Sequence, residues 1–413
     1  MVLRTTWIWR KKKAMKPFSK RMQHLGTENA FSVITKAKKF EREVLEPQGK
    51  KLIYLQIGEP AFDAPKHVKE AVIEATNNNE THYTPSPGIP PLREAIAVET
   101  SKFSNIPYKA EDVVVMPGAK PVMFHMINAL IDPGDEVIIP NPGFPIYESV
   151  VNYLGGVSVP LPLLEEKDFN FSLEELEKLI TPKTKMMIIN SPQNPTGGVL
   201  TKETLKGMAD LAIKHDLWVL SDEIYNKIIY EGEHVSITSF EGMAERTVVL
   251  NGASKAYAMT GLRLGWSVTK SAQMSQYLEQ LIINDVSCTA TVIQYAGIAA
   301  LTGPQDAVEE MKEVYRARRD LIVSLVNEVP GMSCKSPGGA FYLFVNVKPI
   351  LEKHGWTASE FADKIMREAH VLVLPGTAFG AHGEGYIRFS YVSTEENIRN
   401  GVQKIKEYVS TIY

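Results

Sequence analysis

The feature that most limits what this chain can fold into is a recurring order of short apolar runs, small-residue turns and amphipathic stretches. Val113-Val114-Val115-Met116, Val137-Ile138-Ile139, Met186-Met187-Ile188-Ile189, Trp218-Val219-Leu220 and Thr247-Val248-Val249-Leu250 read as buried strands. Between them the periodicity turns helical. Residues 172–180 place Leu173, Leu176 and Ile180 on one face behind a Ser172/Glu175 capping box, and Leu205, Met208, Leu211 and Ala212 share the next face. Strands alternating with helices predict an α/β fold with a mainly parallel sheet. Functional groups in such sheets collect beyond the carboxyl ends of the strands.

At 413 residues the chain is long enough for two domains, and residues 304–329 read as one long helix linking them. A net charge of −3 gives no basic field for nucleic acid. No apolar run reaches membrane-spanning length. Two cysteines, Cys288 and Cys334, suit a reducing cytoplasm rather than a disulfide framework. Residues 1–14, basic and carrying Trp7 and Trp9, lack the apolar core of a secretory signal and are expected to be a disordered extension, with Met15 as an alternative start.

The chemistry begins at Lys255, in the loop after the Thr247-Val248-Val249-Leu250 run. A lysine amine becomes a nucleophile only when its environment lowers its pKa, and it can then form a Schiff base with a carbonyl. The most economical carbonyl is pyridoxal phosphate, whose phosphate also gives Arg263, eight residues on, a partner. Together with Arg263, a cradle for that phosphate is suggested where Val113-Val114-Val115-Met116 empties through Pro117-Gly118-Ala119 into a helix starting at Lys120: exposed amides and the positive end of a helix converge there. Asp222 sits at a buried strand end, which costs stability unless the carboxylate is paired.

The string Ser254-Lys255-Ala256-Tyr257-Ala258-Met259-Thr260-Gly261-Leu262-Arg263-Leu264-Gly265-Trp266 resembles the cofactor-lysine signature of the class I/II aminotransferases, which are fold type I pyridoxal-phosphate enzymes. Gly58-Glu59-Pro60, Asn194-Pro195-Thr196-Gly197, Ser221-Asp222-Glu223-Ile224-Tyr225 and Tyr386-Ile387-Arg388-Phe389 extend the resemblance in the family's order. It implies a large domain over 59–302 with a mainly parallel seven-stranded sheet, and a smaller α+β domain from 15–58 and 303–413. It implies a homodimer with active sites at the interface, Tyr83 reaching the partner's cofactor phosphate. By the same resemblance Lys255 is the catalytic lysine, Asp222 keeps the pyridine nitrogen protonated, and Tyr225 and Asn194 bond its phenolic oxygen. Phe144 stacks on the ring, while Gly118, Ala119, Lys120 and Arg263 cradle the phosphate. Gly58, Asn194 and Arg388 receive the substrate carboxylate; no metal is implied. Relatives that carry a serine three residues before the lysine use it on the phosphate; here Gly252 stands there, with Ser254 next to the lysine instead.

The implied reaction is ping-pong transfer of an amino group from an L-amino acid to a 2-oxo acid. Residues 271–301 contain no arginine or lysine, which removes one known way of gripping a distal carboxylate. The bacterial and thermophilic aspartate aminotransferases use a lysine at the position of Lys120, which favours aspartate. Glu28, near where that subgroup has a hydroxyl residue, could pair with Lys120 or favour a neutral or basic side chain. Transaminases for neutral, aromatic or basic amino acids, and carbon–sulfur lyases, remain readings of the same resemblance. A regulatory binding protein on this fold would need a DNA-binding segment for which the residues before Gly58 are too few.

Overall fold

The computed structural model describes residues 16–27 and 29–413, so the expected 1–14 extension and Glu28 lie outside the described residues. Seven strands form the main sheet: β1 Val113–Met116, β2 Glu136–Asn141, β3 Val157–Pro162, β4 Thr184–Asn190, β5 Trp218–Asp222, β6 Thr247–Gly252 and β7 Gly265–Val268. Their spatial order is β1-β7-β6-β5-β4-β2-β3, with only β7 antiparallel to its neighbours.

The apolar runs are strands because both of their faces are covered. Val114, Met116, Val137, Ile139, Met186, Ile188, Leu220, Val248 and Leu250 belong to one core cluster. The residues between them, Val113, Val115, Ile138, Met187, Ile189, Val219 and Val249, belong to two clusters on the other side. This period of two is what a strand between helical layers requires. Each such side chain contributes about 1.5–3 kcal/mol by leaving water.

A second, three-stranded antiparallel sheet is built from β8 Tyr342–Asn346, β9 Leu374–Pro375 and β10 Tyr386–Ser390, in the order β9-β10-β8. The run 371–374, expected as one strand, is divided: Val371–Leu372 pairs in parallel with Ile53–Tyr54, and Leu374–Pro375 crosses to β10. The segment leading to Gly58 is joined to this second sheet by Ser390 N–H donating to Leu55 O at 2.7 Å.

Three helices matter for the site: α1 Pro90–Ser104, α2 Lys120–Leu130 and α3 Asp306–Asn327. Pro90 and Pro91 open α1, because the first helical turn needs no donor from them. The expected capping box at Ser172 does not form; Glu175 bonds Lys178 at 3.0 Å instead. Elsewhere hydroxyl caps close as chemistry dictates, Thr201 accepting from Thr204 N–H at 3.1 Å and Thr394 from Asn397 N–H at 3.2 Å.

Candidate active site

At the carboxyl edge of the main sheet, facing the second sheet, lies a cavity of ≈ 500 Å³. Lys255, Asp222, Tyr225, Asn194, Phe144, Ala119, Lys120, Arg263, Gly58 and Arg388 all line it. The loops after β1, β2, β4, β5 and β6 supply the first eight from the sheet side, because parallel strands end together at that edge.

Lys255 follows β6 and donates from Nζ to Gly58 O at 2.6 Å. Its ammonium lies 5.9 Å from the Tyr225 ring centre and 5.7 Å from that of Phe341, both aromatic faces that favour a cation. Asp222 ends β5. Its Oδ2 accepts from the Tyr147 hydroxyl at 2.6 Å and its Oδ1 from Ile224 N–H at 3.2 Å, both neutral donors. Burial is the dominant influence and pushes this carboxyl up to about 6 against those hydrogen bonds. Tyr225 shares a 2.8 Å hydrogen bond with the Tyr342 hydroxyl, and burial holds its own hydroxyl proton firmly in place.

Beyond β1, Gly118 turns with φ +90 into α2, whose first residue is Lys120. A Cβ on Gly118 would lie 2.2 Å from Arg263 Nη2, so only glycine leaves room for the guanidinium. Arg263 itself adopts φ +58 and donates from Nη1 to Thr260 O at 2.7 Å. Gly252 is equally constrained: a Cβ there would meet Leu264 O at 2.8 Å. A serine hydroxyl cannot stand at that position, whereas Ser254 does line the cavity.

Arg388 lies on β10, whose every residue is buried, so it is no solvated strand arginine. With 4% of its surface exposed, it donates from Nη1 to Asn194 Oδ1 at 2.8 Å and from Nη2 to Gln56 O at 2.7 Å. Its guanidinium packs 4.3 Å from the Tyr342 ring centre and 4.6 Å from that of Phe379.

Taken together, a half-buried lysine, a glycine turn into a helix start and a buried arginine face one cavity, and the whole architecture is matched elsewhere. A family model described as aminotransferase class I and II matches residues 50–405. The chain belongs to this family. It is a pyridoxal-phosphate-dependent aminotransferase, moving an amino group between an amino acid and a 2-oxo acid. It is 42% identical to the aspartate aminotransferase of Pyrococcus abyssi, covering 87% of this chain and 92% of that one. It is 40% identical to aromatic-amino-acid aminotransferase 2 of Thermococcus litoralis, over 86% of this chain and 91% of the relative. The structure of Thermus thermophilus aspartate aminotransferase with maleate superposes with a TM-score of 0.87 at 36% identity, covering 95% of this chain and 100% of that chain.

The aminotransferase's residues suit the cofactor. Asp222 is a buried carboxylate whose hydrogen-bond donors are neutral, so a protonated pyridine nitrogen would relieve its burial. The Gly118 turn, the start of α2 and Arg263 form a cradle that a Cβ would fill. Of the residues singled out from sequence, Tyr83 is not brought to this cavity; it is 87% exposed on the chain's surface. Gly118 acts from behind Arg263 rather than on the lining.

Four lining groups carried no sequence signal. Tyr147 stands three residues after Phe144, its ring edge-on to it at 5.6 Å, in a helix start where a tyrosine reads as core. Tyr342 and Phe379 lie in runs of apolar residues that single out no member. Gln56 acts through its backbone oxygen, which has no residue-type signature.

Proposed function

We propose that the preferred amino donor is a dicarboxylic L-amino acid, aspartate first, with Arg388 receiving the α-carboxylate and Lys120 the distal one. The observation carrying this reading is that a further cation, Lys120, lines the cavity shared by Lys255, Arg263 and Arg388, its Nζ 5.4 Å from the Phe144 ring centre. The P. abyssi relative's name and the maleate in the T. thermophilus structure, itself a dicarboxylate, support it. The T. litoralis relative, named for aromatic amino acids, supports an aromatic donor as the second reading, for which Phe144 and Phe379 would supply apolar faces.

The cofactor, when bound, supplies an aldehyde that accepts the amino group and an electron-poor ring that draws charge from the donor's Cα. Asp222, with Tyr147 donating to it, would hold the proton on the ring nitrogen, and Asn194 and Tyr225 would bond the phenolic oxygen. The Ala119 and Lys120 amides and Arg263 would hold the phosphate, with Gly118, its own N–H given to Met116 O at 2.8 Å, making room for the guanidinium, and Phe144 would cover one ring face and exclude water. Arg388, forked and planar, suits a carboxylate held at two points and so would fix which Cα bond faces Lys255. Lys255 Nζ then takes the α-proton as a base and returns it as an acid. The donor leaves as a 2-oxo acid, and an acceptor 2-oxo acid retraces the path.

We also infer a division into 59–302 and 15–58 with 303–413, and a homodimer in which Tyr83 completes the partner's phosphate site; the exposure of Tyr83, Tyr277 and Ile283 supports the latter. The free thiols of Cys288 and Cys334 support a cytoplasmic setting.

The test is a panel of amino donors with 2-oxoglutarate and pyruvate, run on the parent and on Lys120→Ala. Loss of kcat/KM for aspartate by about tenfold or more, with alanine and phenylalanine little changed, supports the dicarboxylate reading. Equal losses on all donors remove it.

A further inference from the structure

Asp222 and Glu223 are adjacent carboxylates at the end of β5, and both are buried. Only Asp222 lines the cavity. Alternation along the strand sends Glu223 to the other side, where three donors meet it. Ser221 Oγ donates to Oε1 at 3.0 Å, Ser236 Oγ to Oε1 at 2.6 Å, and His234 Nε2 lies 2.8 Å from Oε2. The His234 and Glu223 side chains are 3% and 4% exposed.

A buried carboxylate–imidazole pair of this kind is weak support for stability, since apolar replacements of buried paired groups often match them. Its location is more informative. Glu223 N–H donates to Leu250 O at 2.9 Å, extending the pairing of β5 with β6 one residue past Asp222. Immediately afterwards the chain turns, with Asn226 N–H donating to Glu223 O at 3.0 Å, and so delivers Tyr225 to the cavity. Glu223 is thus anchored at the point where strand becomes turn, between Asp222 and the cavity-lining Ile224 and Tyr225.

The back of this anchor is itself braced. Phe103, on α1, meets the His234 ring edge-on at 5.7 Å. One turn earlier on the same face, Glu99 pairs with Lys227, whose ammonium lies 5.8 Å from the Phe103 ring centre. His234, Phe103 and Lys227 form a layer behind the loop, and Glu223 and Lys227 flank Tyr225 by two residues on either side.

We propose that Glu223, held by His234 and Ser236, is a positioning residue for Asp222: it fixes the end of β5 so that one carboxylate alone is presented to the cofactor's ring nitrogen. The charges agree with this division. Burial raises Glu223, yet the His234 charge and the three hydrogen bonds overcome it and keep the carboxyl below its ordinary range. Glu223 in turn opposes ionisation of Asp222, and holding it on the far side of the strand end, against His234 and the two serines, keeps that second carboxylate off the cavity where Asp222 meets a cation. Tyr147 and Lys255 are the other titratable groups acting on Asp222.

The inference rests on Asp222 being the ring-nitrogen partner, and the experiment separates the two. The readout is the midpoint pH of the bound cofactor's visible absorbance in the holoenzyme, measured for the parent, Asp222→Asn, Glu223→Gln, Glu223→Ala and His234→Gln, with steady-state kinetics alongside. Disorienting Asp222 weakens the hold on the ring proton, so Glu223→Ala and His234→Gln should move the midpoint in the direction set by Asp222→Asn, by at least about half a unit. Both should lower kcat more than they raise the KM of the amino donor. Glu223→Gln, which keeps an oxygen for the serine donors, should recover part of the shift. If Asp222→Asn leaves the midpoint unmoved, the reading of Asp222 fails. If Asp222→Asn moves it while Glu223→Ala and His234→Gln only lower the melting temperature, Glu223 is a structural residue and this inference is overturned.

Discussion

The two ends of the cavity are in different electrostatic states. On the second-sheet side, Arg388 is finished: buried, bonded to Asn194 and Gln56, and packed between two rings. On the main-sheet side, Arg263 is exposed, held by one carbonyl in a left-handed conformation, and Asp222 is a buried acid with neutral donors. The difference matches the guests. On the proposed assignment Arg388 meets a substrate carboxylate that arrives and leaves in every half-reaction, and a receptor rigid beforehand limits the ordering cost at each arrival. A resident cofactor is bound once, and its own charges can complete a site left incomplete.

Three measurements sharpen or break that contrast. The largest effect is expected for Arg388→Ala, where kcat/KM for amino donor and 2-oxo acid should fall by about 10²–10³ with the cofactor's spectrum retained, as losing one member of a buried charge pair costs about 2–5 kcal/mol. Loss of cofactor from that variant would contradict the separation of the two ends.

Next is Asp222→Asn in the cofactor-free protein. The folded state holds this proton up to about 6, whereas an unfolded aspartate releases it near pH 4. The folded form therefore binds more protons across that window, and its stability falls as pH rises through it. The total is on the order of 3 kcal/mol. Asp222→Asn should melt higher than the parent at pH 8 and about equally at pH 4, in a thermal series without cofactor; a gap independent of pH would break the account. The smallest effect belongs to Arg263→Ala, which should raise the cofactor's Kd by about tenfold while leaving the donor KM unchanged at saturating cofactor. Because Arg263 is exposed, parent cofactor binding should also weaken with salt more than substrate binding does.

Sequence reached the main-sheet end more fully than the other. Lys255, Asp222 and Asn194 lie just beyond buried strands, where a polar side chain is conspicuous and a strand ending dictates its place. At the opposite end, Arg388 was conspicuous, but its setting was not: Tyr342 and Phe379 are apolar residues among apolar residues, and Gln56 contributes a backbone oxygen. Helix starts misled where two local bonds compete, as when Glu175 chose Lys178 over Ser172. Pro90 and Pro91 show the converse, since residues that break a helix interior are at ease in its first turn. Tyr83 illustrates a further kind of gap: on one chain it is an exposed ring, and the role proposed for it needs a second molecule.

The strand that runs against the rest of the main sheet, β7, has a consequence for how Lys255 and Arg263 are kept together. Because β7 runs back beside β6, the excursion 253–264 leaves and re-enters the sheet at paired residues, Gly252 opposite Gly265, with Ala253 N–H bonded to Leu264 O at 3.1 Å. Lys255 and Arg263 therefore ride on one noose with a cinched neck. A shift of the sheet edge at that neck therefore reaches both side chains at once, through the same pair of glycines.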